Sequence, residues 1–330
     1  MNKLIDNYKR HINYLRISIT DRCNLRCIYC MPIDGISHLS HENILSYEEI
    51  VRIARIAVKE GITKIRITGG EPLVRKGVVN LVGWLSQLEG IEDLSMTTNG
   101  ILLSEFAKPL YEAGLKRVNV SMDSLKPDRF REITRGGELS SLIRGIEKAN
   151  EVGMNPIKIN VVAMRGFNED EVLDFAQLTQ ERNCQVRFIE FMPVGLKNGW
   201  KEERYLSSSS IKKIIQENYK LHQLDNKRGN GGPADLYRLE NAKGIIGFIN
   251  AISSHFCATC NRLRLTADGK LRPCLFSDKE FDVRMAMRQG DSDEELKTLL
   301  HTALSNKPEG HAITKPSFKK CAREMVKIGG

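Results

Sequence analysis

The chain has 330 residues, 41% of them hydrophobic and 6% aromatic, enough for about two domains or for one barrel with an extension. Mean hydropathy is −0.32, and no apolar run approaches the ~18 residues that would suggest a membrane span. A formal net charge of +9 favours an anionic partner: a phosphorylated small molecule, a nucleic acid or an anionic membrane surface. No run of five consecutive basic residues appears, so neither nucleic acid nor membrane is expected. The polar opening, Met1 to Arg10, lacks the charged and apolar pattern of a secretory leader, which places the protein in the cytoplasm.

In chain order, β-rich runs are expected over 14–20, 62–68, 93–98, 117–122, 157–164 and 185–192. Helical patterns alternate with them. The first starts at Ser46, which with Glu49 forms a capping box, and stops at Gly61. The others run over 77–88, 104–113, 139–152 and 168–182. Six strands, each separated by one helix, predict right-handed crossovers and a parallel sheet. An open doubly wound sheet and a curved barrel both satisfy this pattern. A barrel fits better, because the polar and glycine-rich segments 21–30, 69–72, 97–100 and 121–124 all fall at strand C-terminal ends, the functional rim of that fold. The expected class is α/β, a partial (βα)6 TIM-type barrel over 1–193 with a C-terminal region over 194–330.

The alternation ends after Met192. Serines 207–210 cap a helix over 211–218, Gly229 to Pro233 form a flexible loop, and 247–253 reads as a strand. Runs 262–266 and 270–276 flank Asp268-Gly269, a hairpin-turn signal that folds Cys274 back toward Cys257 and Cys260. Helical patterns over 280–288 and 291–304 lead to a tail in which Lys315, Lys319, Lys320, Arg323 and Lys327 accompany the single acid Glu324.

The eight cysteines fall into two tight sets and two singles. A secreted disulfide framework would be shorter and denser, so clustered thiols in a long chain indicate metal. Cys23, Cys27 and Cys30 lie on the loop after the first strand, Cys257 and Cys260 just before the predicted hairpin and Cys274 in its second run. Three thiolates can hold three irons of a cubane and leave a fourth open. A zinc ion would need a fourth protein ligand, which His38 or His41 could supply to the first set and His255 to the second. Cys184 and Cys321 belong to neither set and read as small buried hydrophobes.

Asp21-Arg-Cys23-Asn-Leu-Arg-Cys27-Ile-Tyr29-Cys30-Met-Pro32, followed by Gly69-Gly70-Glu71-Pro72, resembles the radical S-adenosylmethionine (SAM) superfamily. Cys257-Ala-Thr-Cys260-Asn-Arg262-Leu-Arg264 through Pro-Cys274 resembles the GTP 3',8-cyclase family within it, and the likeness runs from Arg16 to Gly329-Gly330. That resemblance implies two 4Fe-4S clusters. SAM chelates the open iron of the first, and one electron cleaves it to a 5'-deoxyadenosyl radical. Tyr29, Gly70, Glu71, Ser121 and Met192 match the family's SAM contacts. The open iron of the second cluster contacts guanine, and Arg16, Arg66, Thr97, Lys158, Arg187, Arg262 and Arg264 match the GTP contacts. The radical takes hydrogen from C3' of the ribose, and the resulting carbon attacks C8. Gly329 and Gly330 match a tail that enters the active site alongside Arg262 and Arg264.

The residues add their own reasons. Arg262 and Arg264 alternate on a strand, so both guanidinium forks share one face, as a polyphosphate requires. Arg or Lys within barrel strands needs an anion or a buried acid. The family resemblance further implies a flavodoxin- or ferredoxin-type electron donor, hand-off of product to cyclic pyranopterin monophosphate synthase, and a homodimer. Two other readings weigh against it. A peptide-modifying radical SAM maturase shares the first set but carries a more cysteine-rich C-terminal region, and a basic zinc protein binding nucleic acid leaves 69–72 unexplained.

Overall fold

The computed structural model describes residues 4–225, 232–313 and 318–329. Gly229, Gly231, Lys315 and Gly330, each named above or within a loop named above, lie outside the described residues.

Six strands carry the first half: β1 (Tyr14–Ser18), β2 (Lys64–Thr68), β3 (Asp93–Thr98), β4 (Arg117–Ser121), β5 (Ile157–Ala163) and β6 (Cys184–Glu190). The helices α1 (Tyr47–Lys59), α2 (Val78–Ser86), α3 (Leu103–Glu112), α4 (Pro127–Thr134), α5 (Leu139–Glu151) and α6 (Val172–Glu181) connect them. Sequential strands pair in parallel and in chain order, the expected (βα)6 arrangement. One connection departs from expectation, because both α4 and α5 lie between β4 and β5. Proline occupies the start of α4, where its missing N–H costs nothing.

Local signals set the boundaries. Ser46 accepts from the Glu49 amide while the Glu49 side chain bonds back to the Ser46 amide, so the capping box starts α1. Ile50, Ile53, Ala54 and Ala57 then recur on its buried face. On β1, Leu15 and Ile17 are fully buried under the helices, which turns Arg16 to the opposite face of the sheet.

The rest of the chain adds α7 (Ser208–Gln216), β7 (Leu221–Gln223), β8 (Asp235–Leu239), β9 (Ile245–Ile249), β10 (Arg262–Leu265), β11 (Lys270–Arg272), β12 (Phe281–Asp282), α8 (Val283–Gln289), α9 (Asp293–Ser305) and α10 (Met325–Ile328). Strand β10 runs parallel to β1 and β9 parallel to β6. The C-terminal half therefore extends both edges of the six-stranded sheet, giving a 12-stranded order β12-β11-β10-β1-β2-β3-β4-β5-β6-β9-β8-β7. With no pairing between β1 and β6, the barrel is partial. The sheet still curls: Arg187 on β6 feels the charge of Arg66 on β2, four strands away in the order. Among the described residues, no helix is long and apolar enough to cross a membrane.

Candidate active site

The loop after β1 carries Cys23, Cys27 and Cys30. Burial pushes the Cys27 thiol well up, and the Asp123 carboxylate, Cys30 and Cys23 push it further. Cys30 is raised by burial and then by Cys23, and Cys23 is raised to about 11, mainly by burial. Three mutually repelling, half-buried thiols become thiolates most readily around a cation, so this donor set fits a metal centre. Cys23 Sγ also accepts from the Leu25 amide at 3.4 Å and from Asn99 Nδ2 at 3.9 Å.

The rim around these thiols differs in detail from its sequence reading. A Cβ on Gly70 would stand 2.3 Å from the Arg22 carbonyl oxygen, and one on Gly69 would stand 2.8 Å from that of Thr20. The close approach that this glycine pair permits is to the backbone at the start of the cysteine loop. Glu71 is 1% exposed and accepts from the Leu73 amide at 3.0 Å, the Thr98 hydroxyl at 2.8 Å and the Asn99 amide at 2.7 Å. Burial lifts its carboxyl to about 7, and its bonds tie the ends of β2 and β3 together. Tyr29 donates to Asp123 at 2.7 Å. Ser121 closes β4, whereas Met192 falls two residues beyond the end of β6, with its carbonyl accepting from Asn198 at 2.9 Å.

Cations line the concave face. Register places Arg16 beside Arg66 and Arg264, Thr97 and Lys158 on either side of Asn119, and Arg187 beside Asn160. Burial, then the Arg187, Arg117 and Arg66 charges, pulls Lys158 down to about 6. Burial and Arg66 take Arg187 to about 9, and burial and Arg262 take Arg264 to about 10. Arg117 has an acid of its own, donating to the half-buried Asp93. Among the described residues, no carboxylate lies within ion-pair distance of Arg66, Lys158, Arg187, Arg262 or Arg264. So many uncompensated cations on one concave surface require an anionic ligand.

Sequence reading missed several groups here. Tyr14, Asn119, Asn160 and Gln185 each hold a buried polar side-chain atom without a hydrogen-bond partner among the described residues, as does Thr97. Their signal was the alternation of each strand: Asn119 and Asn160 share a face with Arg117 and Lys158.

Beside β1, the β10–β11 hairpin turns at Asp268-Gly269 as expected. Cys257 is raised by burial, then by Cys274 and Cys260, which brings the second set together. Burial pushes Cys260 up, but the charges of Arg262 and Lys307 outweigh it and bring the thiol to about 6. Among the described residues, the group close enough to share one ion is His255, Cys257 and His311, within 4.8 Å. Neither cysteine triad forms such a group, whereas thiolates around one zinc at ~2.3 Å would lie closer than that. His38 sits 3.7 Å from Asp21. Cys184 and Cys321 are buried, as expected.

The C-terminal tail packs into this site. Of its basic residues, Arg323 docks on acids, donating to Asp268 at 3.0 and 2.8 Å and to Glu280 at 2.8 Å. Gly329 follows α10, and its carbonyl accepts from Arg264 at 2.9 Å. Charge-assisted bonds of this kind are worth about 1.5–3 kcal/mol each. Arg264→Ala is therefore expected to weaken binding of the anionic ligand that this surface calls for ten-fold or more; unchanged affinity for that ligand by calorimetry would remove Arg264 from the site.

Residues 17–179 match the radical SAM superfamily and residues 184–313 match the Molybdenum Cofactor Synthesis C family. A GTP 3',8-cyclase of Thermodesulfovibrio yellowstonii is 53% identical over 98% of this chain and 99% of its own length. Another, from Alkaliphilus metalliredigens, is 50% identical over 98% and 99% respectively. In fold, the chain resembles Streptococcus suis SuiB bound to precursor peptide SuiA, with TM-score 0.62 and 16% identity over 96% of this chain and 76% of that one. A barrel edged by two three-cysteine sets, matched along nearly its whole length by these relatives, belongs to the GTP 3',8-cyclase family of the radical SAM superfamily.

Proposed function

We propose that this chain catalyses the radical SAM cyclisation of GTP to 3',8-cyclo-7,8-dihydroguanosine 5'-triphosphate, the first step of molybdenum cofactor biosynthesis. The observation that carries the reading is one concave, strongly basic surface lying between two sets of three thiols, on which Arg66, Lys158, Arg187, Arg262 and Arg264 have no carboxylate partner among the described residues. Cys23, Cys27 and Cys30 hold the 4Fe-4S cluster that binds SAM, and Cys257, Cys260 and Cys274 hold a second one. When bound, the first cluster and SAM supply the one-electron chemistry that removes hydrogen from C3' of the ribose. The polypeptide's own part is positioning.

Arg264 and Arg262 share a strand face and grip the triphosphate, with Arg16, Arg66, Lys158 and Arg187 completing the basic surface and Thr97 offering a hydroxyl. Tyr29, Gly70, Glu71, Ser121 and Met192 surround SAM on the rim. The curled sheet keeps water and stray hydrogen donors from the reacting carbon. Gly329 and Gly330 complete the site from the tail, a role supported by the bond from Arg264 to the Gly329 carbonyl.

Residues 1–193 form the radical SAM barrel, whose strands contribute to the basic surface, and 194–330 form the region that carries the second cluster and completes the GTP site. An electron donor of flavodoxin or ferredoxin type, hand-off to cyclic pyranopterin monophosphate synthase and a homodimer are further parts of the proposal, and they rest on the family's reaction. A cytoplasmic location is included because six free thiols grouped for metal need a reducing compartment. Anaerobic incubation with GTP, SAM and dithionite is expected to yield the cyclised nucleotide, and ATP in place of GTP is expected to yield none. Equal turnover of ATP would defeat the substrate assignment.

A further inference from the structure

Lys307 is 4% exposed and follows α9. Its ammonium donates to the Arg262 carbonyl at 2.8 Å and to the Pro273 carbonyl at 2.7 Å. Those acceptors lie two residues after Cys260 and immediately before Cys274, so one cation joins both arms of the hairpin that carries the second thiol set. Among the described residues no carboxylate pairs with it; burial holds its ammonium below the usual lysine range, and the charges that act against this are Cys260 and Cys274. A buried ammonium without an acid costs several kcal/mol unless negative charge is supplied nearby. Here the available negative charge is that of the thiolates.

The chain around Lys307 is built to hold it there. Arg10, fixed by Asp6 at 2.6 Å, donates to the carbonyls of Cys257 at 2.7 Å, Pro308 at 2.7 Å and Glu309 at 2.8 Å. The His311 amide bonds to the Cys257 thiol. A Cβ on Gly310 would stand 3.6 Å from the Cys257 Cβ and 3.9 Å from its sulfur. Segment 307–311 thus lies against the second thiol set with one buried positive charge aimed at it.

We infer that Lys307 is the built-in countercation and positioning residue of the second metal centre, joining its two cysteine arms and favouring its reduced, more negative state. A fixed positive charge in a low-dielectric site stabilises added negative charge on its neighbour, so it holds that centre's reduction potential up. The inference rests on the second triad holding a cluster. About eight irons per wild-type chain establish that point separately, and only four would defeat that reading before Lys307 enters.

The test is an EPR-monitored redox titration of the reconstituted holoenzyme with Lys307→Gln, which keeps a donor and removes the charge, and Lys307→Arg, which keeps the charge. With eight irons retained, one of the two midpoint potentials is expected to fall in Lys307→Gln while the other stays, and Lys307→Arg is expected to hold both at wild-type values. Two unchanged potentials in Lys307→Gln, or an equal fall in Lys307→Arg, would overturn the inference. If Lys307→Gln loses four irons, Lys307→Arg decides: wild-type iron and potentials support the countercation, and loss of iron there refutes it.

Discussion

Cys27→Ala is expected to abolish SAM cleavage altogether, whereas Cys260→Ala is expected to leave 5'-deoxyadenosine formation running without cyclised nucleotide. The two sets sit at opposite ends of two neighbouring parallel strands, the first after the C-terminal end of β1 and the second at the N-terminal end of β10, which pairs with β1. Each variant should lose about four of eight irons, since a cubane held by three thiolates does not survive on two. Removal of the first cluster takes away the electron path to SAM. Removal of the second leaves that path intact and strips the guanine end of the substrate site. Iron analysis with product chromatography distinguishes the two. Full cyclisation by Cys260→Ala would show that the second set is not at the substrate.

Closing the tail's entrance should be nearly as damaging. Gly329 has φ +84°, and a Cβ there would stand 2.7 Å from the Ser18 Cβ and 3.0 Å from the Thr68 Cγ2, at the ends of β1 and β2. A left-handed conformation alone costs a side-chain-bearing residue roughly 1–2 kcal/mol, and the overlap adds to this. Gly329→Val is therefore expected to dislodge the tail from Arg264 and lower cyclised product at least ten-fold, with both clusters assembled. Extension of the chain beyond Gly330 should act in the same direction. Normal turnover by the extended protein would show that the tail end plays no part in the reaction.

Much of this was legible because the signals were local. The Ser46–Glu49 box and the Asp268-Gly269 turn are each written within a few residues, and each appears where it was expected. Helix α4 was not read, because Pro127 after the Ser124–Lys126 stretch reads as a turn until a helix is seen to follow it. Asn119, Asn160 and Gln185 were hidden for a different reason: an amide on a strand carries no mark of function until register sets it beside Lys158 and Arg187. Lys307 and Arg10 lay furthest from view. Their partners are 45 and 247 residues away, and no pattern along the chain reports a contact made by folding alone.

Removal of hydrogen from C3' of the ribose is the step on which the proposed function turns. Turnover of GTP deuterated at C3' should give 5'-deoxyadenosine carrying one deuterium, with the cyclised nucleotide appearing in step. Recovery of 5'-deoxyadenosine without deuterium, alongside cyclised product, would contradict it.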